Sequence, residues 1–139
     1  MTFQYLEHTA DVGVDVEADD LAQAFSEAGL ALFGIMTETE GFEAKTEVQV
    51  SATGDDLESL LYNWLEELIF TFDTERLILV RIEVGDISAD PPSIRATCFG
   101  EEFDQSVHGS GTEVKAITYH RMKVEVGDER VHLRYFVDI

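Results

Sequence analysis

The chain is poor in the residues that punctuate, cross-link or anchor other proteins. Its one cysteine, Cys98, excludes an intramolecular disulfide. No second Cys and no His stands at ligand spacing from it, so Cys98 reads as a small apolar residue inside a strand. Its two prolines form the single pair Pro91-Pro92, which leaves the rest of the chain open to regular structure. No apolar run approaches the roughly 18 residues of a membrane helix. The opening Met-Thr-Phe-Gln-Tyr-Leu-Glu has no basic region ahead of an apolar one, so no signal peptide is visible. These absences point to a soluble cytoplasmic protein. Repeats and low-complexity tracts are also missing.

Positive charge is the scarcest commodity. Nine basic residues face 29 acidic ones, for a net charge of −20, and the lysines are Lys45, Lys115 and Lys123 alone. Such a surface repels a phosphate backbone, which disfavours direct binding of nucleic acid. It also repels itself until salt screens it, over about 3 Å at 1 M. Abundant acid with little lysine is the expectation for a salt-rich, halophilic cytoplasm. At 139 residues the chain fits one domain over 1–139, and it is long enough to remove roughly two-thirds of its unfolded surface from water.

Alternation of apolar and polar residues predicts strands at Phe3–Glu7 and Val12–Glu17. Leu21, Ala24, Phe25, Ala28 and Leu32 then recur at helical spacing behind Asp19 or Asp20, and Gly34 is the expected C-cap. A strand at Glu47–Ala52 follows. Asp55 with Glu58 resembles a capping box for a second helix reaching about Phe70 or Phe72, with Leu57, Leu60, Leu61, Trp64, Leu65, Leu68 and Ile69 on its buried face. Strands are predicted at Leu77–Val84, Ile94–Phe99, Ile117–Val126 and Val131–Val137, the last two joined by a Gly127-Asp128 turn. Residues 101–112 read as a mobile loop. Two helices and about six strands, grouped late, argue for a single-domain α+β sandwich with a mostly antiparallel or mixed sheet.

The usual signatures of catalysis are missing. The glycines precede no Lys-Ser or Lys-Thr pair, so there is no phosphate loop, and neither CxxC nor HExxH occurs. Ser106 and His108 have no third partner at a suggestive spacing. Three stretches stand apart. His8-Thr9-Ala10-Asp11-Val12-Gly13 interrupts two strands, either as a plain turn or as a functional one. Phe136-Val137-Asp138-Ile139 carries the last strand to the end of the chain. There the Asp138 carboxylate and the α-carboxylate of Ile139 form either a solvated acidic tail or a pair of hard oxygen donors suited to Ca²⁺, Mg²⁺ or Mn²⁺. Lys115, in Glu113-Val114-Lys115-Ala116-Ile117-Thr118-Tyr119-His120, is a rare lysine directly before a strand.

These three stretches, in this order, resemble the archease family. Ala31-Leu32-Phe33-Gly34-Ile35-Met36-Thr37 and the helix holding Leu60-Leu61-Tyr62 through Leu68 are similar to that family too, so the likeness spans nearly the whole chain. The resemblance implies a compact α+β fold and a non-catalytic activator of the RtcB-type tRNA-splicing RNA ligase, one that promotes guanylylation of a ligase histidine and multiple turnover. It also implies a divalent metal, calcium being the ion usually placed there, at positions matching Asp11, Asp138 and the Ile139 carboxylate. Lys115, with His8, matches positions expected to meet the partner or its nucleotide. Some relatives carry a further acid near the end of the first helix, where this chain has Gly34 with Glu38 nearest, which leaves a further ligand open. The alternatives are a stand-alone metal-dependent phosphohydrolase and a chaperone-like interaction module.

Overall fold

The computed structural model describes residues 2–8, 11–109 and 111–139, with the side chains of 6–8 outside that description. The strands are β1 (Thr2–His8), β2 (Asp11–Ala18), β3 (Thr46–Thr53), β4 (Leu77–Ala89), β5 (Pro92–Glu102), β6 (Ala116–Val126) and β7 (Val131–Asp138). The helices are α1 (Leu21–Met36), α2 (Leu57–Glu75) and the four-residue α3 (Gln105–His108), with a 3₁₀ turn at Thr39–Gly41. One sheet has the order β1-β2-β7-β6 and the other β3-β5-β4, and every described pairing in both is antiparallel.

Both long helices touch both sheets. Helix α1 packs on β1, β2 and β7 of the four-stranded sheet and on β4 of the other, while α2 packs on β3, β4 and β5 and on β6. The core is therefore a helical layer with a sheet on each side. Fully buried Phe25, Leu32 and Phe33 from α1 meet Leu60, Leu61, Trp64, Leu65 and Leu68 from α2. The polar atoms buried with them are satisfied. The Trp64 indole N–H donates to the Phe25 carbonyl at 3.0 Å, and the Tyr135 hydroxyl donates to the Ala28 carbonyl at 2.7 Å. Burial raises the Tyr135 hydroxyl well above its ordinary pKa and pushes the Cys98 thiol up to about 12.

The predicted α+β sandwich and both long helices are present, with local departures. Gly34 does not end α1, which continues to Met36 and closes on Thr37, whose N–H donates to the Phe33 carbonyl. A β-carbon at Gly34 would run into the Tyr5 hydroxyl, and that hydroxyl donates to the Ala31 carbonyl at 3.1 Å. The glycine thus serves close approach of β1 rather than helix termination. Helix α2 is capped by Asp56 with Ser59, one residue later than expected, and runs on to Glu75 before Arg76 turns it in the left-handed region at φ 58. Glu58 reaches instead to the Val124 N–H on β6 at 3.1 Å.

The stretch expected as a mobile loop carries α3, whose Asp104 cap accepts from Ser106 N–H at 3.0 Å. His108 stacks on Phe42 with ring centroids 3.9 Å apart, fixing this segment to the body of the protein. Each of the seven observed strands stands where alternation predicted one, with β4 and β5 running longer than expected, to Ala89 and over Pro92–Glu102.

Candidate functional site

Strand registry builds the site. His8 on β1 faces Asp11 on β2, Asp11 faces Asp138 on β7, and Asp138 faces Ala116 on β6. These four positions form one row across the end of the four-stranded sheet. Along β2 and β7 the residues Val14, Val16, Leu133, Tyr135 and Val137 are buried toward the helices. The period of two places Asp11 and Asp138 on the other face. Lys115 precedes Ala116, and its backbone N–H donates to the Asp138 carbonyl at 2.8 Å.

The row concentrates like charge. The Asp138 carboxyl shares a hydrogen bond with Asp11, and this contact, partial desolvation and the Asp11 charge lift its pKa above the usual aspartate value. The Lys115 ammonium acts in the opposite sense on the same carboxyl. Two half-exposed carboxyl groups forced together, with a lysine beside them, are stabilised by a shared proton or by a cation. Their hard oxygens fit a divalent ion such as Ca²⁺, Mg²⁺ or Mn²⁺.

Among the described residues no group of three His, Cys, Asp or Glu side chains gathers to hold a metal ion, so Glu38 does not join the pair. Ile139 follows Asp138 at the partly exposed end of the chain. The His8 backbone stands in the row, whereas its side chain, with Thr9 and Ala10, lies outside the described residues.

Two features beside the row lay beyond the sequence reading. Thr118 pairs with Phe136 and Lys123 with Arg134, so residues 119–122 stand opposite Tyr135 alone as a wide bulge in β6. Its crest holds Tyr119, stacked on Tyr62 at 4.3 Å, and Arg121, at φ 60 and lying over the Phe136 ring at 5.1 Å. A non-glycine residue in that region costs of order 1–3 kcal/mol, which the surrounding contacts must offset. A regular apolar-polar alternation carries no mark of such an insertion.

The second feature is a cavity of about 550 Å³ at the same end of the molecule, floored by Ile69, Phe72, Phe103 and Val114. Val114 immediately precedes the residue that binds the Asp138 carbonyl, so cavity and row share one segment.

Comparison with known proteins gives the family of the chain. Residues 3–139 match the family model described as "Archease protein family (MTH1598/TM1083)". The chain belongs to the archease family. It is 38% identical over 137 residues to the protein archease of Sulfolobus acidocaldarius, covering 99% of this chain and 98% of that one. It is 39% identical over 140 residues to a protein archease-like of Drosophila melanogaster, covering 100% and 90%. The solution structure of Methanobacterium thermoautotrophicum protein 1598 superposes with a TM-score of 0.84 at 37% identity, covering 99% of this chain and 98% of that one. The archease fold thus extends over all of the described elements. Among the described residues no helix is long and apolar enough to cross a membrane.

Proposed function

We propose that this archease activates the RtcB-type tRNA-splicing RNA ligase, promoting guanylylation of the ligase and its multiple turnover without being an enzyme itself. The observation that carries the reading is the registry of Asp11, Asp138 and Ala116, which gathers two carboxylates and Lys115 at one exposed edge. Asp11, Asp138 and the Ile139 carboxylate would hold a hard divalent ion, calcium, magnesium or manganese. Such an ion would supply a fixed positive charge able to neutralise phosphate oxygens.

The protein's own part is positional. Asp11 is held by β2 and Asp138 by β7, both backed by the core, so the carboxylates arrive at a partner's active site with their spacing already set. Lys115 and His8 would meet the nucleotide or ligase groups around them. The acidic remainder of the surface keeps the protein off RNA, so the ligase rather than the RNA is its partner. A cytoplasmic location agrees with that role.

The test is guanylylation of the purified ligase by GTP with catalytic amounts of this protein. Wild type should accelerate it, and Asp11→Ala or Asp138→Ala should remove the acceleration while circular dichroism stays unchanged. Normal stimulation by both variants sinks the mechanism. Turnover of a small phosphoester without ligase would point to a hydrolase, and rescue of misfolded ligase by both variants would point to a chaperone. A C-terminal tag, which turns the Ile139 carboxylate into an amide, should weaken Mn²⁺ binding more than an N-terminal tag does.

A further inference from the structure

The cavity beside the carboxylate row has a chemistry of its own. Its floor is apolar and aromatic, with Ile69 and Phe72 from α2, Phe103 after β5 and Val114 before β6. Its rim is acidic, with Asp73, Glu102, Asp104 and Glu113 against the single guanidinium of Arg76. At about 550 Å³ it falls in the range of sites that enclose a ligand or a few side chains.

Three properties narrow the occupant. The excess of carboxylates repels phosphate, which excludes a nucleotide tail. Among the described residues no three His, Cys, Asp or Glu groups gather to hold a metal ion, and the separated rim carboxylates suit a cation whose charge is spread over a larger group. The wall already shows which group fits: the Arg76 guanidinium carbon stands over the Phe72 ring, 4.3 Å from its centroid. Guanidinium is weakly hydrated, stacks on aromatic faces and bridges two carboxylates through its planar fork, properties that an ammonium lacks.

We infer that this cavity is a docking site for an arginine-bearing segment of a protein partner, the arginine stacking on the phenylalanine floor and pairing with the acidic rim. The partner's identity as the splicing ligase rests on the function proposed above, whereas the chemistry of the site does not. Because Val114 lines the cavity and Lys115 binds the Asp138 backbone, an occupied cavity would set the height at which the carboxylate row meets that partner.

The experiment is a titration of ¹⁵N-labelled protein with N-acetyl-Phe-Arg-amide, N-acetyl-Phe-Glu-amide and GMP, read by amide chemical shifts. The arginine peptide should move the resonances of Asp73, Gln105, Thr112 and Glu113 saturably. The Asp73→Lys/Glu113→Lys double variant should bind it at least about tenfold more weakly. Glu129→Lys, an exposed reversal in the β6–β7 turn at the far end of the sheet, should bind it within about twofold of wild type. Equal binding of the glutamate peptide, preference for GMP, or no saturable shift from the arginine peptide overturns the proposal.

Ligase affinity on the same variants separates the two ideas. Wild type that does not bind ligase refutes the functional reading, with the peptide titration still deciding the site. Ligase that binds wild type and the double variant equally overturns the docking assignment.

Discussion

Replacing Trp64 with Phe tests whether the helical layer carries the stability that holds the carboxylate row in place. Trp64 is the chain's single tryptophan and is wholly buried on α2. Its indole N–H spans to α1 through the 3.0 Å bond to the Phe25 carbonyl. The substitution deletes that hydrogen bond, a net loss of about 1 kcal/mol. It also removes apolar volume equal to roughly two or three methylene groups, at about 0.8 kcal/mol each.

The surroundings are closely packed around the indole. A β-carbon added at nearby Gly29 would stand 2.7 Å from Ile82 Cδ1 and 2.9 Å from Leu68 Cδ1, so little free space adjoins the indole. The sum is about 3 kcal/mol, which for a domain of this size lowers Tm by roughly 10 °C. Because the variant has no tryptophan fluorescence, far-ultraviolet circular dichroism at fixed KCl is the suitable assay. Phe70→Ala, at a side chain 60% exposed on the same helix, should cost less than about 0.5 kcal/mol. A Trp64→Phe loss below about 1 kcal/mol, or equal losses for the two variants, would refute the account of the core.

Other consequences can be checked separately. Cys98, with its thiol pushed up to about 12 by burial, should resist a thiol-specific disulfide reagent at pH 8 in the folded protein and react fully in denaturant; rapid native labelling would contradict its place in the core. The raised Asp138 pKa means that the folded chain holds this proton more firmly than the unfolded chain. Its contribution to stability is therefore present at low pH and is lost as pH rises through the raised value. Carboxyl ¹³C titration should show the Asp138 midpoint falling in Asp11→Asn, and an unmoved midpoint would remove Asp11 as the cause. Because the chain carries −20, raising KCl from 0.1 to 2 M should raise Tm, and a Tm indifferent to KCl would contradict charge repulsion as a destabilising force.

Legibility in the sequence followed the range of the forces involved. Period-two and period-3.6 patterns located every long element because each follows from one face being buried, as in β7 and along the Leu60–Leu68 stripe of α2. Errors arose where a distant partner overrode a local signal. Gly34 reads as a terminator until Tyr5, on β1 and 29 residues earlier, is seen to need the space. Glu58 reads as a capping-box acid, yet it bonds β6 and leaves the cap to Asp56 and Ser59. The segment after β5 reads as loop because the stack of His108 on Phe42 joins residues 66 apart in sequence.

The candidate site divides in the same way. Asp11, Lys115 and Asp138 are each conspicuous in the sequence, the family resemblance links Asp11 with Asp138, and strand registry sets the three side by side. The bulge at 119–122 and the acidic cavity were invisible, since both arise from how finished elements meet.

The most direct measurement of the central claim is multiple-turnover RNA joining by the splicing ligase in the presence of Asp11→Asn, Asp138→Asn and the double variant. If the two carboxylates act as one site, each single change should lower turnover at least about tenfold. The double change should then be no worse than the worse single one, because the first substitution has already dismantled the unit. Losses that multiply, or single variants that sustain wild-type turnover, would contradict a shared carboxylate site as the working part of this archease.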